Sequence, residues 1–229
     1  MSGVTGFDPD CLPRLIIWGA SGHARVVADI IRVNHQYKLA GFVDDTPAAP
    51  DRFLDHTVYH DPEALEAVRD GGATNLVVAV GDCRARMRLA EAAVKRGFTL
   101  ISAIHPRAVV SSDASIGDGT VVAAGAVVNP GCSIGENVIV NTGATVDHDC
   151  RIGDGVHISP GVHLGGSVTV GRATWVGIGA IVKDHMAIGE GAMIGAGSVV
   201  LSDIPDGVIA WGVPAKSMRR SGPEAGLNT

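Results

Sequence analysis

Val146-Asp-His-Asp-Cys-Arg-Ile152-Gly-Asp-Gly-Val-His-Ile158-Ser-Pro-Gly-Val-His-Leu164 carries an aliphatic side chain at every sixth position. The same step runs without a break from Val110 to Val200, sixteen positions in all. Two residues before most of them stands a small side chain, as at Ala108, Ala126, Cys132, Ala144 and Cys150, and glycine often follows, as at Gly117, Gly135 and Gly153. A period of six fits neither the 3.6-residue turn of an α-helix nor the alternation of a strand, and it is a signature of β-helix solenoids. Each hexad reads as a short strand whose aliphatic residue points inward, followed by a turn that uses the conformational freedom of glycine.

The ladder claims about the second half of the 229 residues, so the first hundred form a different unit. Arg14-Leu-Ile-Ile-Trp18 is an apolar strand, followed by Gly19-Ala-Ser-Gly-His-Ala24 and a helical run from Val26 to Ile31. Strand, glycine turn and helix open a βαβ unit. Further strands are expected at 39–43, 75–80 and 98–104, and further helices at 62–69 (Asp61 as N-cap, Pro62 at the first position) and 82–97. The order β-α-β-α-β-α-β describes a small Rossmann-like layer. Gly19-x-x-Gly22 at a helix start can turn backbone N–H groups toward a phosphate. Asp44, at the end of the second strand, stands where such folds place a carboxylate for a ribose or base, or else it is a solvated turn residue like its neighbour Asp45.

His148 comes two residues after the inward Val146 and so falls at a corner of the solenoid, with Asp147 or Asp149 available to hold the ring and raise its basicity. His157 and His163 each precede an inward aliphatic residue and are open to three readings: surface residues of an oligomer, metal ligands, or ligand contacts. Few aromatic residues (Phe 4, Trp 3, Tyr 2) suit a narrow coil, and a net charge of −6 gives no reason to expect nucleic acid or an anionic membrane as partner. No stretch approaches a membrane span, and Met1 to Pro13 lacks the pattern of a signal peptide, so a cytoplasmic location is expected. Cys11, Cys83, Cys132 and Cys150 have no CxxC spacing. Cys132 and Cys150 read as reduced core thiols.

Taken in order, Gly19 to Ala24, Gly41-Phe-Val-Asp-Asp45, Val80-Gly81, Ile104-His-Pro106, Asn141-Thr-Gly…Asp-His-Asp-Cys150 and Gly212-Val-Pro-Ala-Lys216 resemble the bacterial hexapeptide-repeat sugar acetyltransferases of the PglD, PerB and NeuD types. The resemblance implies a Rossmann-like domain over 14–105 that binds a nucleotide-sugar, and a left-handed parallel β-helix over 106–220 that binds acetyl-CoA. It also implies about eighteen residues per coil, which at ~4.8 Å per coil makes a prism roughly 25 Å high. A homotrimer with the active site between neighbouring prisms is implied as well, and no metal. By position, His148 corresponds to the general base and Asp149 to the carboxylate that orients it. Ser21, Gly22, His23, Asp44, Asp45, Gly81 and Arg84 correspond to nucleotide-sugar contacts. His157, Gly166, Ile178 and Ala196 correspond to acetyl-CoA contacts. With eighteen-residue coils Gly166 stacks beside His148, and Ile178 stacks beside Ala196.

The implied activity is N-acetylation of a UDP- or GDP-linked 4-amino-4,6-dideoxy sugar. Asp82-Cys83, where relatives often carry Asn-Asn or Asp-Asn, leaves both nucleotides open. Competing readings are O-acetylation of a sialic acid, a trimeric zinc hydratase, an NAD-dependent oxidoreductase, and a sugar-sensing partner protein. In the tail, Arg219 and Arg220 could meet the phosphates of CoA, and Ser221 to Thr229 is expected to be disordered.

Overall fold

The computed structural model describes residues 12–61 and 63–220, with the side chains of Arg219 and Arg220 excepted. Cys11, Pro62, the tail beyond 220 and the two arginine side chains therefore lie outside the described residues.

The first unit is a six-stranded sheet in the spatial order β3 (Arg52–Phe53), β4 (His56–Tyr59), β2 (Lys38–Val43), β1 (Arg14–Trp18), β5 (Asn75–Val78) and β6 (Thr99–Leu100). Its centre is β1 (Arg14–Trp18), which pairs in parallel with β2 (Lys38–Val43) on one side and β5 (Asn75–Val78) on the other. Four of the five β1 residues are buried, as expected of a strand covered on both faces. Helix α1 (Gly22–Asn34) buries Ala24, Val27, Ala28 and Ile31, a spacing that makes one apolar stripe. Helix α2 (Ala64–Asp70) is preceded by Asp61, whose carboxylate accepts the Glu63 N–H at 2.8 Å. Helix α3 (Cys83–Lys95) is capped by Asp82, which accepts the Ala85 N–H at 2.6 Å.

Two features depart from the expected order. An antiparallel hairpin of β3 (Arg52–Phe53) and β4 (His56–Tyr59) extends the sheet, turning through Leu54 and Asp55, both with positive φ (47° and 63°). Leu-Asp is not a residue pair that announces such a turn. The last expected strand, 98–104, is divided between the two units. Thr99–Leu100 (β6) pairs with β5, whereas Ala103–Ile104 pairs with Val121–Val122 of the solenoid.

From there the chain is a left-handed parallel β-helix with three flat faces. Each two-residue strand pairs in parallel with the strand eighteen residues on: Val121 with Ile139, His157, Trp175 and then Met193 on one face. Val127, Thr145, His163, Ile181 and Val199 line the second face, and Ser133, Arg151, Thr169 and Ala187 the third. The hexad aliphatics fill the interior, with Val140, Val146, Ile158 and Val176 at 0% exposure. Cys132 and Cys150 are buried free thiols whose Sγ atoms donate to Asp147 O (3.0 Å) and Gly165 O (3.2 Å), in line with their reading as core residues. Burial pushes the Cys150 thiol up to about 12.

On the first face the outward residues Val121 and Ile139 are buried too, in one apolar cluster with Val27 and Ile31 of α1. The Rossmann-like layer thus sits directly on the prism. Because the interior is close-packed and one coil thick, Ile158→Ala should lower the stability of the folded chain by about 2–5 kcal/mol. A denaturant melt measures this; a loss below ~1 kcal/mol would mean that the prism repacks around the gap.

Candidate active site

His148 stands at a corner between the second and third faces. Its Nδ1 lies 2.8 Å from Asp149 Oδ2, while Asp147 Oδ1 accepts the His148 backbone N–H at 2.7 Å and an N–H of the Asn129 amide at 2.8 Å. Of the two carboxylates flanking the ring, Asp149 is therefore the one that holds it. Asp149 reaches the ring from a left-handed backbone conformation (φ 58°), at the corner position that Gly131 fills one coil earlier. Aspartate is among the few non-glycine residues that tolerate that region. With Nδ1–H donating to Asp149, Nε2 presents a lone pair on a side chain that is 59% exposed. The hydrogen bond donated to Asp149 raises the His148 pKa above 6.5, against the opposing effect of desolvation and with help from the charges of Asp147 and Asp149.

Gly166 lies under this ring. A Cβ built on Gly166 would be 2.5 Å from His148 Nε2, and the coils are tied there by Ser167 N–H donating to His148 O at 2.8 Å. The expected stacking of His148 on Gly166 is thus present. A reacting atom close to Nε2 would also be close to the Gly166 main chain, an arrangement that pairs a base with an N–H donor.

The glycine turn of the first domain lies between β1 and α1. Gly19 takes φ 121°, and a Cβ there would meet Ala79 O at 2.7 Å, so the close approach of β1 and β5 requires glycine. Ser21 is the N-cap of α1 but makes no side-chain cap hydrogen bond. The first-turn N–H groups near Ser21, Gly22 and His23 therefore face solvent or a ligand. Asp44 is engaged within the turn: Oδ2 accepts the Ala20 N–H at 2.7 Å, and Oδ1 accepts from Thr46 N (3.0 Å) and Thr46 Oγ1 (2.6 Å). It braces the turn. The neighbouring Asp45 is exposed.

His157 is not on an outer surface of this chain. It is 7% exposed, stacked on Trp175 with ring centroids 5.0 Å apart, and 6.4 Å from the ring of His23. Its Nδ1 lies 3.3 Å from Gly81 O and its Nε2 3.2 Å from Asn141 Nδ2. Both ring nitrogens are engaged, with Nδ1–H donating across the seam between the two domains and Nε2 accepting from the amide. Trp175 is itself fixed by Nε1–H donating to Ser159 Oγ at 2.8 Å. His23 Nε2 is buried without a hydrogen-bond partner. Burial first, and the charge of Arg86 second, lower His23 to about 4 and His157 to about 3. Both are neutral near pH 7. The unfolded chain takes up protons below pH ~6.5 that the folded chain refuses, so stability should fall as pH drops from about 6.5 toward about 4. A melting temperature that held level over that interval would contradict the burial of the pair.

The other expected residues divide. Ile178 and Ala196 stack as predicted, with Gly197 N–H donating to Ile178 O at 2.8 Å, and Ile178 is 61% exposed. They occupy the corner between the first and second faces, a different edge of this prism from that of His148. His163 is on the second face, exposed, with Nδ1 2.9 Å from Thr145 Oγ1. Arg84 does not join Gly81. Its guanidinium lies beside Gly191, in a polar cleft shared with Arg88 and Arg172 at the third corner. The residue that does meet the Gly81 carbonyl from α3 is Arg86, through Nη1 at 2.9 Å. Sequence reading passed over it. Its place on the buried stripe of Cys83, Ala90 and Ala93 is the signal that could have found it.

Two family models match the chain: the PglD N-terminal domain over residues 14–93, and the bacterial transferase hexapeptide (six repeats) over residues 131–166. The crystal structure of PerB from Caulobacter crescentus in complex with CoA and GDP-perosamine is 43% identical, with a TM-score of 0.85 over 90% of this chain and 97% of that one. The acetyltransferase domain of PglB from Neisseria gonorrhoeae in complex with acetyl coenzyme A is 40% identical, with a TM-score of 0.82 over 90% of this chain and 100% of that one. A UDP-N-acetylbacillosamine N-acetyltransferase of Bacillus subtilis is 36% identical over 113 residues, 49% of this chain, and the match spans about half (52%) of that protein.

Proposed function

Since the chain belongs to the hexapeptide-repeat sugar N-acetyltransferases with a PglD-type N-terminal domain, we propose that it moves the acetyl group of acetyl-CoA to the amino group of a UDP- or GDP-linked 4-amino-4,6-dideoxy sugar. The observation that carries this is the imidazole of His148, held at Nδ1 by Asp149 with Nε2 poised over Gly166. The sugar nitrogen attacks the thioester carbonyl while His148 Nε2 takes its proton, and the Gly166 N–H faces the oxyanion. The C–S bond then breaks, and the thiolate of CoA recovers the proton from the imidazolium. No acyl-enzyme is needed, and the nearby Cys150 is inward, hydrogen-bonded and firmly protonated.

Ser21, Gly22, His23, Asp45 and Gly81 hold the nucleotide-sugar, with Asp44 supporting their turn. Ile178 and Ala196 line the path of the CoA arm. Because that path and His148 are on different edges of one prism, the site is completed between neighbouring copies. The exposed aliphatics Val109 (64%) and Ile181 (47%) on the second face support assembly of a homotrimer through it. His163 falls within that face. Among the described residues no helix is long and apolar enough to cross a membrane, and the reading places the protein in the cytoplasm, with its two substrates.

The test is to follow CoA thiol release from acetyl-CoA with UDP-, GDP- and CMP-linked 4-amino sugars and with free sialic acid. Turnover on a nucleotide-linked amine is expected. Release with sialic acid alone would replace N-acetylation by O-acetylation.

A further inference from the structure

Arg86 heads the large side chains that are fully buried among the described residues, at 0% exposure. Its guanidinium meets five main-chain carbonyls. Nη1 donates to Val80 O and Gly81 O, both at 2.9 Å, Nε to Asn137 O at 2.8 Å, and Nη2 to Gly155 O at 2.8 Å and Val156 O at 3.3 Å. The first two acceptors belong to the turn that follows β5 in the Rossmann-like layer. The other three belong to two successive coils of the prism, since Asn137 and Gly155 are eighteen residues apart. One side chain therefore ties both domains together.

An alkyl residue would fill the same stripe of α3 without the cost of burying a charge. What only the planar fork supplies is direction, because it fixes several acceptors at set angles at once. The Gly81 carbonyl also faces His157 Nδ1 at 3.3 Å, and His157 is 6.4 Å from His23, which follows the glycine turn. We propose that Arg86 is a positioning residue. It locks the Val80–Gly81 turn onto the prism and so sets the gap across which a nucleotide-sugar on the first domain meets the acetyl donor on the second. This rests on the assignment of Ser21, Gly22, His23 and Gly81 to the acceptor.

The test compares Arg86→Met and Arg86→Lys with the unaltered chain in two measurements. In steady-state kinetics with the nucleotide-sugar that the acceptor panel selects, Arg86→Met should raise the acceptor KM roughly tenfold or more, with the acetyl-CoA KM held within about twofold. The lysine variant, which keeps the charge but not the fork, should fall between. In an NMR titration of the imidazoles, His23 and His157 should titrate closer to 6.5 in Arg86→Met than their starting values of about 4 and about 3. The rise is partial because burial is the larger cause for both rings. Equal changes in both KM values, or a change in neither, would overturn the proposal.

If the methionine variant does not fold, the lysine variant decides by the same split between the two KM values. If the unaltered chain binds no nucleotide-sugar, the acceptor assignment fails, and Arg86 is then judged by the titrations alone. Unmoved imidazoles in a folded Arg86→Met would remove it as a clamp, whereas in Arg86→Lys, which keeps the charge, both rings should stay near their starting values.

Discussion

His148→Ala is expected to lower kcat by roughly 10²–10⁴-fold, with the affinity for acetyl-CoA nearly unchanged. The size follows from the loss of a general base, and the selectivity from geometry. The ring is held by Asp149 over Gly166, on a different edge of its own prism from Ile178 and Ala196. The pH profile gives the same expectation a sign. The base works only when neutral, and the hydrogen bond it donates to Asp149 holds its pKa above 6.5. Turnover should therefore fall as pH drops through that raised value and level off above it. In Asp149→Asn the principal cause of the rise is gone, so the acidic limb should move to lower pH while the plateau rate falls with the weaker base. A limb that stayed in place would assign the titration to some other group. Turnover surviving in His148→Ala would remove the imidazole from the chemistry.

The prism was legible because its information is redundant: sixteen consecutive inward positions repeat one instruction, and no single substitution could hide it. The number of hexads per coil and the hand were not in the period, and came only with the family resemblance. The corner position of His148 followed from counting two residues past Val146, and its pairing with Gly166 from the coil length. Contacts between the domains were another matter. Arg86 reads as one more basic residue of a helix until the prism is placed against α3 and five carbonyls converge on it. His157 shows the same limit. Its hexad position points it outward, and on the first face outward means the seam beneath Gly81. Asp44 was read from its place at a strand end, which is correct, yet the partners that occupy its carboxylate are the Ala20 N–H and the Thr46 hydroxyl and N–H. Periodicity reports which way a side chain points and says nothing of what a second domain will put there.

Gly166→Ala is the other substitution with a large expected effect, and it reaches the base without touching it. Gly166 does not occupy the left-handed region that disfavours a side chain, so alanine costs the backbone little. The new methyl carbon, however, would stand 2.5 Å from His148 Nε2 and 2.6 Å from Cε1, far inside van der Waals contact. Since the imidazole is well exposed, it is the ring that yields and the coil that stays. The melting temperature should therefore be close to that of the unaltered chain, while kcat falls by roughly 10²-fold or more as Nε2 leaves its productive place. A double-mutant cycle separates this from a general disturbance of the corner. If the methyl acts by displacing the imidazole, then adding Gly166→Ala to His148→Ala should cost little further, a strong departure from additivity. Fully additive losses would mean that the methyl acts independently of the imidazole, by crowding a substrate or by shifting the residue-166 N–H away from the oxyanion. Near-normal turnover in the single variant would show that the position of Nε2 over Gly166 is not the one from which it takes the proton.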